Sequence, residues 1–144
     1  MIIPDVNLLL YATIAAFPQH DRARAWWESA VNGDAQIGLA SPAVFGFLRV
    51  ATNSRVLTPA MGMDVAGDHV RQWLGRPNVR LVVPGPDHVE IALRLLDATG
   101  TAANLTTAAQ LASLAIEQNA QVYSHDTDFG RFAGLNWVDP LATS

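Results

Sequence analysis

Two short acidic motifs at opposite ends of the chain have the residue types for chemistry. Near the start, Met1-Ile2-Ile3-Pro4 runs into Asp5, followed by Val6-Asn7. Near the end, Ala120-Gln121-Val122-Tyr123 runs into Ser124-His125-Asp126-Thr127-Asp128-Phe129. In both places an apolar strand gives way to carboxylates. Carboxylates at close range repel and raise one another's pKa, and a divalent cation removes that cost. Hard, oxygen-preferring ions such as Mg²⁺ or Mn²⁺ suit such a cluster. The residues therefore point to a metal-dependent site on Asp5 and Asp126, with Asp128 as a further candidate.

The elements between the motifs alternate. Residues 1–5 form a buried strand, and 6–15 a helix that starts at the carboxylate. Asp21 is expected to N-cap a helix over 22–31, ended by Asn32-Gly33. A strand at 36–40 precedes Ser41-Pro42, where Ser as N-cap and Pro at the first helical position open a third helix. Further helices are expected over 64–74, 86–98 and 108–118, the last capped by Thr107. Strands are expected at 79–83 and 120–123, a turn of helix at 129–132, and an edge strand at 136–138. Strands alternating with helices imply an α/β fold: a three-layer α/β/α sandwich with a central, mainly parallel sheet. Ligands bind such sheets beyond the carboxyl ends of the strands, where Asp5 and Asp126 fall.

The chain has 144 residues, half of them hydrophobic and 15% charged. That is enough for one domain, residues 1–144, with a real core. It has no cysteine, so disulfides, zinc–thiolate sites and thiol nucleophiles are excluded. All nine basic residues are Arg. Without lysine, P-loop NTPases, Schiff-base enzymes and pyridoxal enzymes are excluded. The net charge of −4 is not that of a duplex-DNA binder driven by counterion release, so nucleic acid would have to be held by local arginines and a metal. No apolar run approaches the roughly 18 residues needed to span a bilayer, and no signal peptide is evident. A cytoplasmic location is expected.

The order of motifs resembles a PIN domain, and more narrowly a VapC-type toxin of a bacterial toxin–antitoxin pair. The resemblance is carried by Asp5-Val6-Asn7, by Phe47-Leu48-Arg49-Val50-Ala51-Thr52-Asn53 after Ser41-Pro42, and by Ser124-His125-Asp126-Thr127-Asp128-Phe129. It implies a Mg²⁺- or Mn²⁺-dependent endoribonuclease that forms a homodimer and is held in check by a small VapB-type antitoxin. The expected RNA is structured tRNA or ribosomal RNA. On this resemblance Asp5 and Asp126 ligand the metal, and Asp128 is a further ligand or holds a metal-bound water. Asn7 orients Asp5 or its water, and Ser124 hydrogen-bonds the carboxylates or the phosphate. By their bidentate geometry Arg49 and Arg55 are candidate contacts to RNA phosphates, and equally candidates to pair with an antitoxin or with local carboxylates.

Two positions depart from the pattern. A Glu of the third helix falls on Phe47. An Asp at the start of the Thr-capped helix falls on Ala108, which removes a metal-binding carboxylate. The expectation is that Ala108 is an engineered replacement in a toxic enzyme, with a naturally degenerate toxin as the alternative. The competing reading from another class is a non-catalytic module whose acidic groove only holds a partner's basic side chain. His125 is expected to be a partly exposed loop residue.

Overall fold

Strand β1 (Ile2–Pro4) lies at the centre of the sheet in a computed structural model that describes residues 1–142. Its neighbours are β2 (Ile37–Ala40) and β4 (Gln121–Tyr123), with β3 (Val79–Val82) and β5 (Trp137–Val138) at the edges. The order is β3-β2-β1-β4-β5, and every pairing is parallel. The chain thus builds outward from β1 on one side, then returns to build on the other. The reversal opens a crevice beyond the carboxyl ends of β1 and β4.

The core follows from composition. Ile3, Ile37, Leu39 and Val122 are fully buried in the sheet, as strands covered on both faces must be. Among the described residues six helices cover it: α1 (Val6–Thr13), α2 (His20–Val31), α3 (Ser41–Ala51), α4 (Met63–Leu74), α5 (His88–Thr99) and α6 (Thr106–Gln118). Leu8 and Leu9 of α1, Phe47 of α3, and Leu111 and Ala112 of α6 are fully buried. No helix among the described residues is long and apolar enough to cross a membrane.

Element order and type are as expected, and the helix starts differ. Helix α2 begins at His20, so Asp21 sits in its first turn and does not cap it. Helix α3 begins at Ser41 itself, so Ala40 is the N-cap residue and Ser41 makes no capping bond. Helix α6 begins at Thr106 after a 3₁₀ turn over Ala103–Leu105, and Thr107 is no cap. Before α6 the 3₁₀ turn runs straight into the helix, leaving no extended residue from which a hydroxyl could reach back, and before α3 the extended N-cap residue is Ala40, which has no hydroxyl. Helix α5 spans His88–Thr99 and not 86–98, and Gly100 closes it at φ +80, a conformation that favours glycine.

Candidate functional site

The register between β1 and β4 builds the site. Pro4 pairs with Tyr123, and the backbone N–H of Asp5 donates to the Tyr123 carbonyl at 2.9 Å. The next residue of each strand exit, Asp5 and Ser124, therefore face one another. Asp5 is both a helix cap and a site residue. Its Oδ1 accepts the Val6 N–H at 2.7 Å, which starts α1, and its Oδ2 accepts the Ser124 hydroxyl at 2.7 Å.

Ser124 is fully buried and every polar group on it is used. Its N–H donates to the Val138 carbonyl at 3.0 Å, and its own carbonyl accepts the Trp137 indole N–H at 3.0 Å. The hydroxyl proton goes to Asp5. The same oxygen accepts the Asp126 N–H at 2.9 Å and the Asn7 amide at 3.4 Å. Because that proton is committed, only the NH₂ end of Asn7 can face Ser124. Asn7 Oδ1 is left buried with no hydrogen-bond partner among the described residues. Such an orphaned acceptor costs free energy unless a donor or cation meets it.

Asp126 turns its Oδ1 to the Asp128 N–H at 2.9 Å, capping the 3₁₀ turn Thr127–Arg131. Burial, ahead of the opposing hydrogen bonds from Ser124 and Val6, pushes the Asp5 carboxyl above the usual carboxylate range, and the Asp126 charge adds to the rise.

The structure brings Asp5, Asn7, Ser124 and Asp126 together. It does not bring in Asp128 in the same way: that side chain is 41% exposed and lies 4.0 Å from the Arg131 guanidinium. Ala108 sits half-buried in the first turn of α6, packed against the core. Phe47 is fully buried with its ring 4.9 Å from that of Trp73, so the position where the family pattern has a Glu belongs to the core in this chain. Arg49 is exposed and lines an open groove between α3 and α6. Among the described residues no group of three or more His, Asp or Glu could hold a metal together. The donors present are two carboxylates and the orphaned Asn7 oxygen. All are hard oxygens, and one or two carboxylates with waters and substrate phosphate suffice for Mg²⁺.

One neighbour escaped the sequence reading. Tyr11 has its phenol pushed above its ordinary value, first by burial and then by the charges of Asp5 and Asp126. Its position four residues after Asn7, on the same face of α1, is the signal that marks it. His125 is a partly exposed loop residue, as expected: its side chain is 35% exposed, its Nδ1 meets Asp139 Oδ2 at 2.9 Å, and its ring stands edge-on to Tyr11 at 6.3 Å.

The sequence matches the PIN domain family over residues 2–135. It is 58% identical to Ribonuclease VapC33 of Mycobacterium tuberculosis over 98% of this chain and 99% of that protein. Among solved structures, Mycobacterium tuberculosis VapC20, described as a sarcin-ricin loop cleaving toxin, superposes with a TM-score of 0.70 at 17% identity, covering 94% of this chain and 96% of that one. VapBC-1 from nontypeable Haemophilus influenzae superposes with a TM-score of 0.71 at 15% identity, covering 99% and 100%. These two likenesses concern the fold. With the carboxylate pair at the switch point of a parallel sheet and more than half of its residues shared with VapC33, this chain belongs to the PIN domain family and is of VapC type.

Proposed function

We propose that the chain is a ribonuclease toxin of a toxin–antitoxin pair, that Mg²⁺ or Mn²⁺ is its cofactor, and that Ala108 impairs it. The ribonuclease activity is carried over from relatives named for it, VapC33 first. The VapB-type antitoxin is carried over from the VapBC assemblies that share the fold. The observation that supports the cation is the Ser124 hydroxyl between Asp5 and Asp126, with the orphaned Asn7 Oδ1 beside it.

Asp5 and Asp126 would hold the ion, with Asn7 Oδ1 meeting it or one of its waters. When bound, the ion supplies a water of lowered pKa and charge stabilisation for phosphodiester hydrolysis. The chain's own groups do the positioning. Ser124 fixes the Asp5 oxygens through a charge-assisted bond, and the Asp128 N–H orients Asp126. Tyr11 keeps its proton and offers a neutral hydroxyl beside two negative charges. Asp128 contributes mainly through its backbone.

With one carboxylate replaced by Ala108, affinity for Mg²⁺ is expected to be low. Ala108→Asp is expected to yield Mn²⁺-dependent cleavage of tRNA or ribosomal RNA well above that of the unaltered chain. Cleavage assays of both proteins, with Mn²⁺ and with chelator, check this; equal activity in the two would remove position 108 from the site. The count of only two clustered carboxylates favours a second reading, a non-catalytic module that acts through its antitoxin. A thermal shift on adding Mn²⁺ to Ala108→Asp supports the enzyme, and none supports the module.

A further inference from the structure

One face of α3 carries a hydroxyl, an aromatic ring and a guanidinium in line: Ser41, Phe45 and Arg49, each four residues apart. They form one wall of an open groove of about 500 Å³. Thr107 and Gln110 of α6 form the facing wall, and His88 at the start of α5 also lines the groove. The groove lies past the carboxyl end of β3. It reaches Gly46, which packs against Val6, the residue after Asp5. Phe45 is 65% exposed, an unusual cost for a phenyl ring that no packing explains. Arg49 makes no ion pair among the described residues, unlike Arg24, Arg71 and Arg94. His88 Nδ1 is buried with no hydrogen-bond partner among them.

We infer that this groove is a subsite for one unpaired nucleotide of the RNA, next to the cleavage centre. An exposed aromatic ring beside a free guanidinium is how proteins hold single-stranded nucleic acid: the ring stacks on a base and the cation meets a phosphate. Phe45 is the stacking platform and Arg49 the bidentate phosphate contact. Gln110, with Thr107, offers donors and acceptors to the base edge. The adjoining groove between α3 and α4 differs in kind. It is lined almost wholly by aliphatic side chains such as Leu48, Met63 and Leu74, with a paired Arg71, and suits a protein. Phe45 is the ridge between the two grooves.

The inference rests on the ribonuclease reading, and the test separates the two. Phe45→Leu, Phe45→Trp and Arg49→Gln are placed in the Ala108→Asp protein, and cleavage of a labelled single-stranded oligoribonucleotide is followed with Mn²⁺. Phe45→Leu and Arg49→Gln are expected to raise KM about tenfold each, on the scale of a lost stack or phosphate contact, while Phe45→Trp stays near the parent. Oligomeric state, measured by sedimentation on the same samples, is expected to be constant. Unchanged KM in Phe45→Leu and Arg49→Gln overturns the subsite. A KM that rises only in variants whose oligomeric state also changes overturns it too, and makes the groove a contact between protein chains. If Ala108→Asp cuts no RNA, the ribonuclease reading fails by itself. Binding of the same oligonucleotide to the unaltered chain then decides the subsite: loss in Phe45→Leu and Arg49→Gln sustains it, and equal binding or none overturns it.

Discussion

Ser124 has one hydroxyl proton and gives it to Asp5, and three consequences meet at that carboxylate. It caps α1, it is buried, and it faces Asp126. Burial dominates, so the folded protein holds the Asp5 proton more tightly than the unfolded chain does. The sign of the pH dependence follows. Below the ordinary Asp range both states are protonated and Asp5 contributes nothing to stability. As pH rises from that range to the raised value in the fold, the unfolded chain loses its proton first. The folded state binds more protons in that window, so the Asp5 contribution to stability falls with rising pH and stays low above it. Asp5→Asn carries no such titration. The stability of the parent relative to Asp5→Asn is therefore expected to fall as pH rises through that window, measured by thermal melts with chelator present. A difference that rises with pH would mean Asp5 is stabilised as the anion. Both carboxylates were legible in the sequence because each ends an apolar strand. The hub that joins them was legible only as a residue type, since a hydroxyl at 124 serving a carboxylate at 5 depends on the Pro4–Tyr123 register.

At the scale of elements, α3 and α1 are held closer than side chains usually permit. A Cβ placed on Gly46 would lie 2.7 Å from Cγ2 of Val6. Val6 is the first residue of α1, is β-branched, and has little rotamer freedom with which to move aside. Gly46→Ala is expected to destabilise the protein by about 1–3 kcal/mol, the usual cost of overpacking, although Ala is the better helix former. The same push falls on the α1 N-terminus that Asp5 caps. In the Ala108→Asp background, Gly46→Ala is therefore expected to lower RNA cleavage at temperatures well below its melting point. Thermal melts and cleavage assays on one preparation check both parts. The hydrophobic periodicity of α3 was visible in the sequence, and so was its Ser-Pro start. That its glycine is a contact with α1 was not, because only packing assigns a reason to a small residue inside a helix. Helix starts at Ser41 and Thr106 were shifted because capping rules look for a polar side chain on an extended residue before the helix: before α3 that residue is Ala40, the end of β2, and before α6 a 3₁₀ turn runs directly in.

Across the whole molecule, apolar side chains left in solvent cluster on the elements around edge strand β3. Met63 and Leu74 on α4, Leu81 in β3, Val83 just after it, and Val89 and Leu93 on α5 are each 41% exposed or more. An edge strand flanked by such side chains needs cover, of the kind that a two-fold contact with a second copy supplies. We propose this face as the surface of the homodimer expected from sequence; the alternation of strands and helices indicated only that some strand must lie at each edge. Val83 is 68% exposed, so a charged side chain there costs the isolated fold little. Two copies meeting across this face would instead bring two such charges into an apolar contact, where desolvation and mutual repulsion oppose association. The parent is expected to sediment as a dimer and Val83→Arg as a monomer with unchanged circular dichroism. A parent that stays monomeric at high concentration would leave this face to another protein, and the aliphatic groove between α3 and α4 would then be the part of it with the shape to receive an antitoxin segment.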